Sequence, residues 1–479
     1  MSYETANTPA AARITTLLDA GSFVEIGGAV TARTTDFNMQ ANETPGDGVI
    51  TGYGVVDGNL VYVYSQDATV LNGAIGEMHA RKIANIYDMA MKMGAPIIGL
   101  IDCAGLRLQE ATDALQGFGS LYLKQTYASG VIPQITAIFG TCGGGLSVIP
   151  TLTDFTFMEA AKGKLFLHSP NALPGNEISK LDTSSAKFQS EESGLVDKAG
   201  SESEILSDIR TLIGMLPANN EDDVSYQDCT DDLNRICDTV ANAADDTAIA
   251  LSMIADNQVF FETKKDYAKD MVTGFIRLNG VTVGAVANRS KVYNENAEVL
   301  VGFDGSLSVN GCRKAVDFVN FCDAFSIPLL TLTNVTGFEA DKSAEKSLAR
   351  EVGKLTYAFA NASVPKVNVV IGKAYGSAGV VMNSKFIGAD MVYAWPAAEI
   401  GMMDSELAAK IMYQDADGDT LKEKAAEYKA LQSSPISAAR RGYVDSIIEP
   451  AETRKYVIGA FEMLFTKRED RPAKKHGAV

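Results

Sequence analysis

Histidine is nearly absent from this chain. Only His79, His168 and His476 occur in 479 residues. A Ser-His-Asp triad would have to use one of them, and His79 falls in a helical stretch and His476 in a basic tail, which argues against that chemistry. Cysteine is sparse as well. The six are Cys103, Cys142, Cys229, Cys237, Cys312 and Cys322, and none forms a C-x-x-C pair, which excludes a zinc ribbon. Cys103 and Cys142 lie beside turns of interest and read as small buried thiols. No apolar run approaches the roughly 18 residues of a membrane span. Met1-Ser2-Tyr3-Glu4-Thr5 is polar and lacks the basic-then-apolar pattern of a signal peptide. The expected location is cytoplasmic. Basic charge is also short: 42 Lys and Arg stand against 60 Asp and Glu, a formal net charge of −18. That excludes nucleic acid as a bulk partner and leaves room for an anionic small molecule held by a local cluster.

What is present is length and strand-turn-helix pattern. At 479 residues the chain exceeds one ordinary core, so two or three domains are expected. Residues 1–45 read as an arm with a short helix from Ala11 to Leu18 and a short strand from Ser22 to Ile26. Val49–Val56 and Leu60–Tyr64 read as strands joined by Asp57-Gly58, a strong hairpin turn. Glu77–Met93 reads as a helix ended by Gly94 and Pro96. Within it lies Ala90-Met91-Lys92-Met93, the letters that mark a biotin-accepting lysine. That lysine belongs on an exposed turn between strands, so Lys92 reads as an ordinary helix lysine.

Two buried-strand runs follow, Pro96–Asp102 and Ile132–Phe139. The first ends in Cys103-Ala104-Gly105-Leu106-Arg107 and a helix from Ala111 to Ser129. The second ends in Gly140-Thr141-Cys142-Gly143-Gly144-Gly145 and a helix from Leu146, before a strand at Asp154–Met158. This alternation predicts an α/β layer architecture with ligands at the carboxyl ends of the strands.

Residues 217–262 are acidic and read as an inter-domain segment with one or two helices, separating an N-terminal domain at 46–216 from a C-terminal domain at 263–479. The chain then repeats itself. Thr51-Gly52-Tyr53 with Asp57-Gly58 returns as Thr273-Gly274-Phe275 with Asn279-Gly280, an offset of 222 (273 − 51). Arg81-Lys82, Pro96, Gly105, Pro133, Gly140 and Gly144 return as Arg313-Lys314, Pro328, Gly337, Pro365, Gly372 and Gly376, an offset of 232 (328 − 96). Gly194-Leu195-Val196-Asp197 returns as Gly442-Tyr443-Val444-Asp445, an offset of 248 (442 − 194). The two halves are therefore expected to share one fold, with the glycine turns at equivalent places.

Each half thus offers two glycine-bearing turns after strands: Ala104-Gly105 with Gly143-Gly144-Gly145, and Gly337 with Gly376-Ser377-Ala378. Neighbouring turns could aim backbone N–H groups at one developing negative charge, an oxyanion hole in each half. Tight strand-to-helix packing is the structural alternative for any single turn. Asp102, Glu110 and Asp323 are the carboxylates nearby, and each has a ready capping or surface explanation. Two holes and no evident base suit a reaction whose substrates bring their own base, such as enolate formation at a thioester.

The letters of these turns resemble the carboxyltransferase family of biotin-dependent enzymes. That family includes the beta subunits of propionyl-CoA and related acyl-CoA carboxylases. It also includes the carboxyltransferase subunits of methylmalonyl-CoA and glutaconyl-CoA decarboxylases. The matching stretches are Gly46–Gly54, Gly76–Ala80, the two glycine turns, Val381–Lys385, Tyr393–Pro396, Arg441–Asp445 and the charged tail Lys467–His476. The resemblance implies a tandem crotonase-like fold, each half a ββα superhelix, in a homo-oligomeric hexamer built as a dimer of trimers. It implies an acyl-CoA, best guessed as propionyl-CoA/methylmalonyl-CoA, and biotin on a separate carrier protein. A biotin carboxylase or a membrane decarboxylase subunit would be the further partner. By position Gly144 and Gly145, then Ser377 and Ala378, carry over as the oxyanion donors. Ala104, Gly105, Gly143, Gly337, Gly376 and Val380 carry over as substrate-binding positions, with no metal. Two departures stand out. The family commonly reads Ser-Gly-Gly-Ala-Arg where this chain has Cys103-Ala104-Gly105-Leu106-Arg107. It commonly reads Tyr-Gly-Gly-Ala-Tyr where this chain has Tyr375-Gly376-Ser377-Ala378-Gly379. They bear on substrate identity more than on reaction type. Glutaconyl-, malonyl- or acetyl-CoA as substrate, biotin-free crotonase-type chemistry, and a catalytically silent scaffold are the alternatives.

Overall fold

The computed structural model describes residues 7–33, 44–222, 226–472 and 476–478. Met1–Thr5, Asp223 of the acidic run and Lys474-Lys475 of the tail lie outside the described residues. The chain divides into two compact units, Met1–Ser225 and Tyr226–Val479.

The first unit is an eight-stranded sheet: β1 (Val24–Glu25), β2 (Val49–Val56), β3 (Asn59–Gln66), β4 (Ile97–Cys103), β5 (Gln134–Gly143), β6 (Phe155–Glu159), β7 (Lys164–Phe166) and β8 (Lys198–Gly200). The path runs β1-β2-β3-β4-β5-β6-β8, and β7 pairs with the far end of β5. Four helices matter here: α1 (Pro9–Leu17), α2 (Glu77–Met93), α3 (Ala111–Ala128) and α4 (Glu202–Met215).

The second unit repeats this plan. Its eight-stranded sheet is β9 (Phe260–Thr263), β10 (Met271–Leu278), β11 (Val281–Asn288), β12 (Leu329–Val335), β13 (Lys366–Tyr375), β14 (Met391–Ala394), β15 (Glu399–Gly401) and β16 (Ser446–Ile447). The path is β9-β10-β11-β12-β13-β14-β16, with β15 on the far end of β13. The matching helices are α5 (Thr247–Ile254), α6 (Val309–Ala324), α7 (Leu348–Asn361) and α8 (Thr453–Leu464).

Both sheets open with an antiparallel hairpin and continue in parallel. The hairpin turns hold both central residues at positive φ: Asp57 at 48° and Gly58 at 83°, Asn279 at 52° and Gly280 at 79°. That is the two-residue turn whose twist suits a hairpin. The parallel strands are nearly continuous apolar runs because both faces are covered. Ile97, Ile101 and Ile138 pack with Ile83, Ile86 and Tyr87 of α2 in one core. Leu330, Val369 and Trp395 pack with Leu251 of α5 and Val457 of α8 in a core of the second unit. The helix α2 ends on Gly94 at φ 61°, and Lys92 in its last turn is exposed, as an ordinary surface lysine should be.

The repeat extends to polar contacts. Asp19 accepts from the amides of Asp57 and Gly58, both at 3.1 Å. Asp256 accepts from those of Asn279 and Gly280, at 3.2 and 2.7 Å. Each carboxylate is held by an arginine of the closing helix, Arg210 at 2.8 Å and Arg454 at 2.6 Å. The helices α1 and α5 thus stand in equivalent places, one early in the chain and one in the acidic stretch before the second sheet. Lys82 and Lys314 are both buried. Lys82 donates to the carbonyls of Gly46 and Val49, and Lys314 to those of Lys264 and Tyr267. The Arg-Lys repeat therefore marks lysines that tie down the loop leading into each hairpin. No described helix is long and apolar enough to cross a membrane.

Candidate active site

Strand register brings the glycine turns of each half together. In the first unit Cys103 of β4 sits opposite Cys142 of β5, which sets Ala104-Gly105 beside Gly143-Gly144-Gly145. In the second, Val335 of β12 sits opposite Ala374 of β13, which sets Gly337 beside Gly376-Ser377. A Cβ on Gly140 would lie 2.0 Å from Asp102 Oδ1, and one on Gly372 would lie 2.4 Å from Asn334 Oδ1. Only glycine allows these strand ends to approach so closely. Gly144 and Gly376 then turn the chain at φ 61° and 56°.

Short helical segments follow. Gly144–Ser147 forms a 3-10 turn continued by the four-residue helix Val148–Thr151, shorter than the helix expected from Leu146. Gly376–Val381 forms a six-residue helix. The first N–H groups of such segments have no acceptor within their own helix. Those of Gly144, Gly145, Ser377 and Ala378 fall in this class. The hydroxyl of Tyr122 donates to the Gly145 carbonyl, and Ser147 Oγ donates to that of Gly144 at 2.7 Å, which pins the peptide planes of the first turn. In the second unit Tyr375, just before the turn, donates its hydroxyl to Glu399, which also pairs with Lys429 at 2.7 Å.

Gly376, Ser377 and Val380 line a cavity of 530 Å³ whose apolar walls include Val370, Phe386 and Ile400. Ala378 is buried behind it, and Gly337 is not part of its lining. In the first unit Gly105 takes φ 108°, and a Cβ there or on Gly144 would meet open space. Gly143 stays in β5, opposite Phe166 of β7.

A strap holds the Gly105 turn. Leu71, Asn72 and Gly73 all adopt positive φ, at 49°, 54° and 65°. The Ala104 amide donates to Asn72 O at 3.0 Å, Ile75 N to Gly105 O at 2.8 Å, and Arg107 N to Ile75 O at 2.9 Å. Beneath it Arg107 is buried between Asp47 and Glu110. Sequence reading missed this cluster. Its only local signal was Glu110 three residues after Arg107, which does not distinguish a buried pair from a surface one, and Asp47 lies 60 residues earlier (107 − 47).

The nearby side chains have structural occupations. Asp102 pairs with Arg13 at 3.4 Å. Asp323 accepts from the Ser363 amide at 2.7 Å. Glu110 caps the first amide of α2, that of Glu77, at 2.6 Å. Cys103 and Cys142 are buried, as expected, and burial pushes the Cys103 thiol up to about 12 and Cys142 well above its ordinary value. His79 is buried between Gln66 and the Asp47 carbonyl. Burial first, then the Arg107 charge, lowers it to about 3, so its ring is neutral. No group of acidic, cysteine or histidine side chains among the described residues could hold a metal ion.

Comparison with known proteins gives this geometry a context. Residues 2–479 match the carboxyl transferase domain family. The methylmalonyl-CoA decarboxylase subunit alpha of Veillonella parvula is 40% identical over 480 residues, 98% of this chain and 92% of that protein. The propionyl-CoA carboxylase beta chain of Roseobacter denitrificans is 41% identical over 481 residues, again 98% and 92%. Among solved structures, transcarboxylase 12S with hydrolysed methylmalonyl-coenzyme A bound superposes with a TM-score of 0.91 at 37% identity. The match covers 98% of this chain and 92% of that one. The two similarly built ββα sheet regions of this chain are the duplicated crotonase-like architecture, and the chain belongs to the biotin-dependent acyl-CoA carboxyltransferase family.

Proposed function

We propose that this enzyme moves a carboxyl group between methylmalonyl-CoA/propionyl-CoA and biotin held on a separate carrier protein, through a thioester enolate. The observation that carries the reading is the duplicated turn. Gly144 and Gly376 stand at the same place in two copies of one sheet, both at positive φ, each followed by helical N–H groups without an intrahelical acceptor. The amides of Gly144 and Gly145 form one oxyanion hole and those of Ser377 and Ala378 the other. One receives the enolate oxygen of the thioester and the other the ureido oxygen of biotin. Ala104, Gly105 and Gly143 shape the first pocket, and Gly337, Gly376 and Val380 the second.

Both partners are substrates of this chain. The cavity beside Gly376 suits one of them, since 530 Å³ with apolar walls accepts a compact ring or a short acyl group. In the decarboxylating direction the carbon–carbon bond to the carboxyl group breaks and leaves the electron pair on the thioester as an enolate. The ureido nitrogen gives its proton to that carbon and takes the carboxyl group. The protein holds the two oxygens and keeps water away. Preorganised backbone donors of this kind contribute about 2.7–4 kcal/mol each to the transition state. The buried thiols and carboxylates of the site have no part in the proton transfer.

The family's relatives suggest the setting: a hexamer, as in transcarboxylase 12S, working with a biotin carrier and with a biotin carboxylase or a decarboxylase subunit. Within the chain we read 1–45 as an arm, 46–216 and 263–479 as the two carboxyltransferase domains, and 217–262 as the segment between them.

The test is incubation of the purified chain with free biotin and each of methylmalonyl-, malonyl- and glutaconyl-CoA, following biotin-dependent loss of the carboxyl group. Methylmalonyl-CoA should turn over fastest. Turnover of none of the three, beside an active relative under the same conditions, would leave the scaffold reading standing.

A further inference from the structure

The two units can be compared contact by contact, and at one place they diverge. In the first unit the Arg107 guanidinium, 4% exposed, meets three acceptors: Asp47 Oδ1 at 2.8 Å, Glu110 Oε1 at 2.5 Å and the Ala74 carbonyl at 2.9 Å. Both carboxylates also serve α2. Glu110 Oε2 accepts from Glu77 N at 2.6 Å, and Asp47 Oδ2 accepts from His79 N at 2.8 Å.

Each acceptor has a counterpart in the second unit. Val309, the first residue of α6, stands 232 positions after Glu77. Its amide donates to Glu339 Oε2 at 3.4 Å. Gly311 stands 232 after His79. Its amide donates to Ser308 Oγ at 2.9 Å, and that hydroxyl donates to Asp270 Oδ2 at 2.7 Å. Ser306 stands 232 after Ala74. The guanidinium has no counterpart, and Glu110, whose position plus 232 is Lys342, has one only in its capping role, taken by Glu339. Position 107 plus 232 is Glu339, whose amide donates to Leu307 O at 3.0 Å just as Arg107 N donates to Ile75 O.

With glycine in place of His79 and a carboxylate in place of Arg107, the space opens into a cavity of 680 Å³ lined by Asp270, Ser306 and Glu339. Four further charged residues line it: Asp304, Asp341, Lys269 and Arg313. The two cations are engaged elsewhere, Lys269 with Asp266 at 3.5 Å and Arg313 with Glu351 at 3.5 Å. Among the described residues no ion pair joins a cation to Asp270 or Glu339. The field of these carboxylates reaches the core: the Cys312 thiol in α6 is pushed up to about 12, by burial first and then by Asp270, Glu351 and Glu339.

We propose that this cavity is a binding site for a cationic group, a guanidinium or primary ammonium, which sits between Asp270 and Glu339 as Arg107 sits between Asp47 and Glu110. A guanidinium fits best, because its planar fork of donors matches two carboxylates and a carbonyl. The group comes either from a free small molecule or from a basic side chain of a second copy of this chain.

The test uses the full chain with two isosteres that differ only in the charge of the side-chain head, Nα-acetyl-L-argininamide and its neutral urea analogue Nα-acetyl-L-citrullinamide (hereafter argininamide and citrullinamide), at constant ionic strength, read by saturation-transfer NMR and sedimentation velocity. If the cation is a free molecule, argininamide binds at least tenfold more tightly than citrullinamide. The double variant Asp270→Asn, Glu339→Gln then loses that preference with its assembly unchanged. If the cation is a side chain of a second copy, the double variant instead dissociates at a protein concentration at least tenfold higher than wild type. Glu339→Arg, which supplies the guanidinium from within, keeps the fold and abolishes argininamide binding. Equal binding of the two amides together with unchanged assembly of the double variant would overturn the proposal.

Discussion

Lys82 and Lys314 do the same job 232 residues apart, whereas Arg107 and Glu339, at the same spacing, do opposite ones. The lysines are buried, each tying together two carbonyls of the loop that leads into its hairpin. A loop of that kind is part of the fold, so both units keep the lysine. The arginine neutralises two carboxylates beside one glycine turn, and the second unit caps the matching helix without it, through Glu339 and through Ser308 backed by Asp270. What the comparison teaches is where duplication is strict. Backbone-directed contacts at hairpins, strand starts and turn glycines match pair by pair. Charge pairs around the turns have drifted, and there the units have parted in what they can hold.

The sharpest way to break that comparison is at the strictest pair. Gly144→Val and Gly376→Val each force a β-branched residue into positive φ. A Cβ meets nothing within 4 Å at Gly144, and at Gly376 only the Met402 carbonyl at 3.2 Å. The damage is therefore to the direction of the following N–H groups. Each variant should lower kcat about 10²–10³-fold, the loss expected for one oxyanion donor, with far-ultraviolet dichroism unchanged. If one variant kept more than half its kcat, the two turns would not be equivalent in function.

Arg107→Ala comes next. It leaves Asp47 and Glu110 buried without their cation and should cost about 3–5 kcal/mol in urea unfolding. Glu339→Ala, at the matching position, removes one long hydrogen bond and should cost about 1 kcal/mol or less. Equal costs would mean that the second unit has its own buried pair after all.

These two tests also mark how far the sequence could be read. Hairpins, the strand-turn-helix order and the glycine pairs were legible because backbone geometry restricts residue type: Asp57-Gly58 and Asn279-Gly280 must take positive φ, and Gly140 and Gly372 must lack a Cβ. The equivalence of α1 and α5 was not. Their apolar faces need only be hydrophobic, and PAAARITTL shares little with TAIALSMI. The pairs Asp19–Arg210 and Asp256–Arg454 that join them to the rest span 191 and 198 residues, separations no local pattern carries. The Arg107 cluster and the 680 Å³ cavity were hidden for the same reason, since burial of a charge depends on what three separate loops bring to it.

The lysine pair gives a test by pH. Burial lowers Lys82 to about 8 and Lys314 to about 7, from 10.5. The unfolded chain then binds more protons above those values, so stability rises with pH: the contribution is complete above 10.5 and is lost as pH falls through the folded value. Between pH 7 and 9 the rise from the two lysines together should be on the order of 4 kcal/mol, the larger share from Lys314. Lys314→Met should flatten it from about pH 7 upward and Lys82→Met only from about pH 8. Urea midpoints across that range would show the order, and a reversed order would mean that the lysine of the first unit is the more deeply desolvated one.

The smallest effect tests strain at the drifted position. Ala111, which opens α3 directly after Glu110, sits at φ 46° and ψ −119°, a conformation that suits glycine. Its counterpart 232 residues on, Ser343, has ordinary helical angles of −73° and −45°. Ala111→Gly should therefore stabilise the protein by about 1 kcal/mol, while Ser343→Gly should destabilise it by about 0.5–1 kcal/mol. The cause of the strain is next door. Glu110 is fixed by Arg107 on one oxygen and by the Glu77 amide on the other, so the chain leaving it cannot relax. In an Arg107→Ala background that anchor is cut, and the gain from Ala111→Gly should shrink to a few tenths of a kcal/mol. A gain that persisted there in full would place the strain in the turn itself and detach it from the buried arginine that sets the first unit apart.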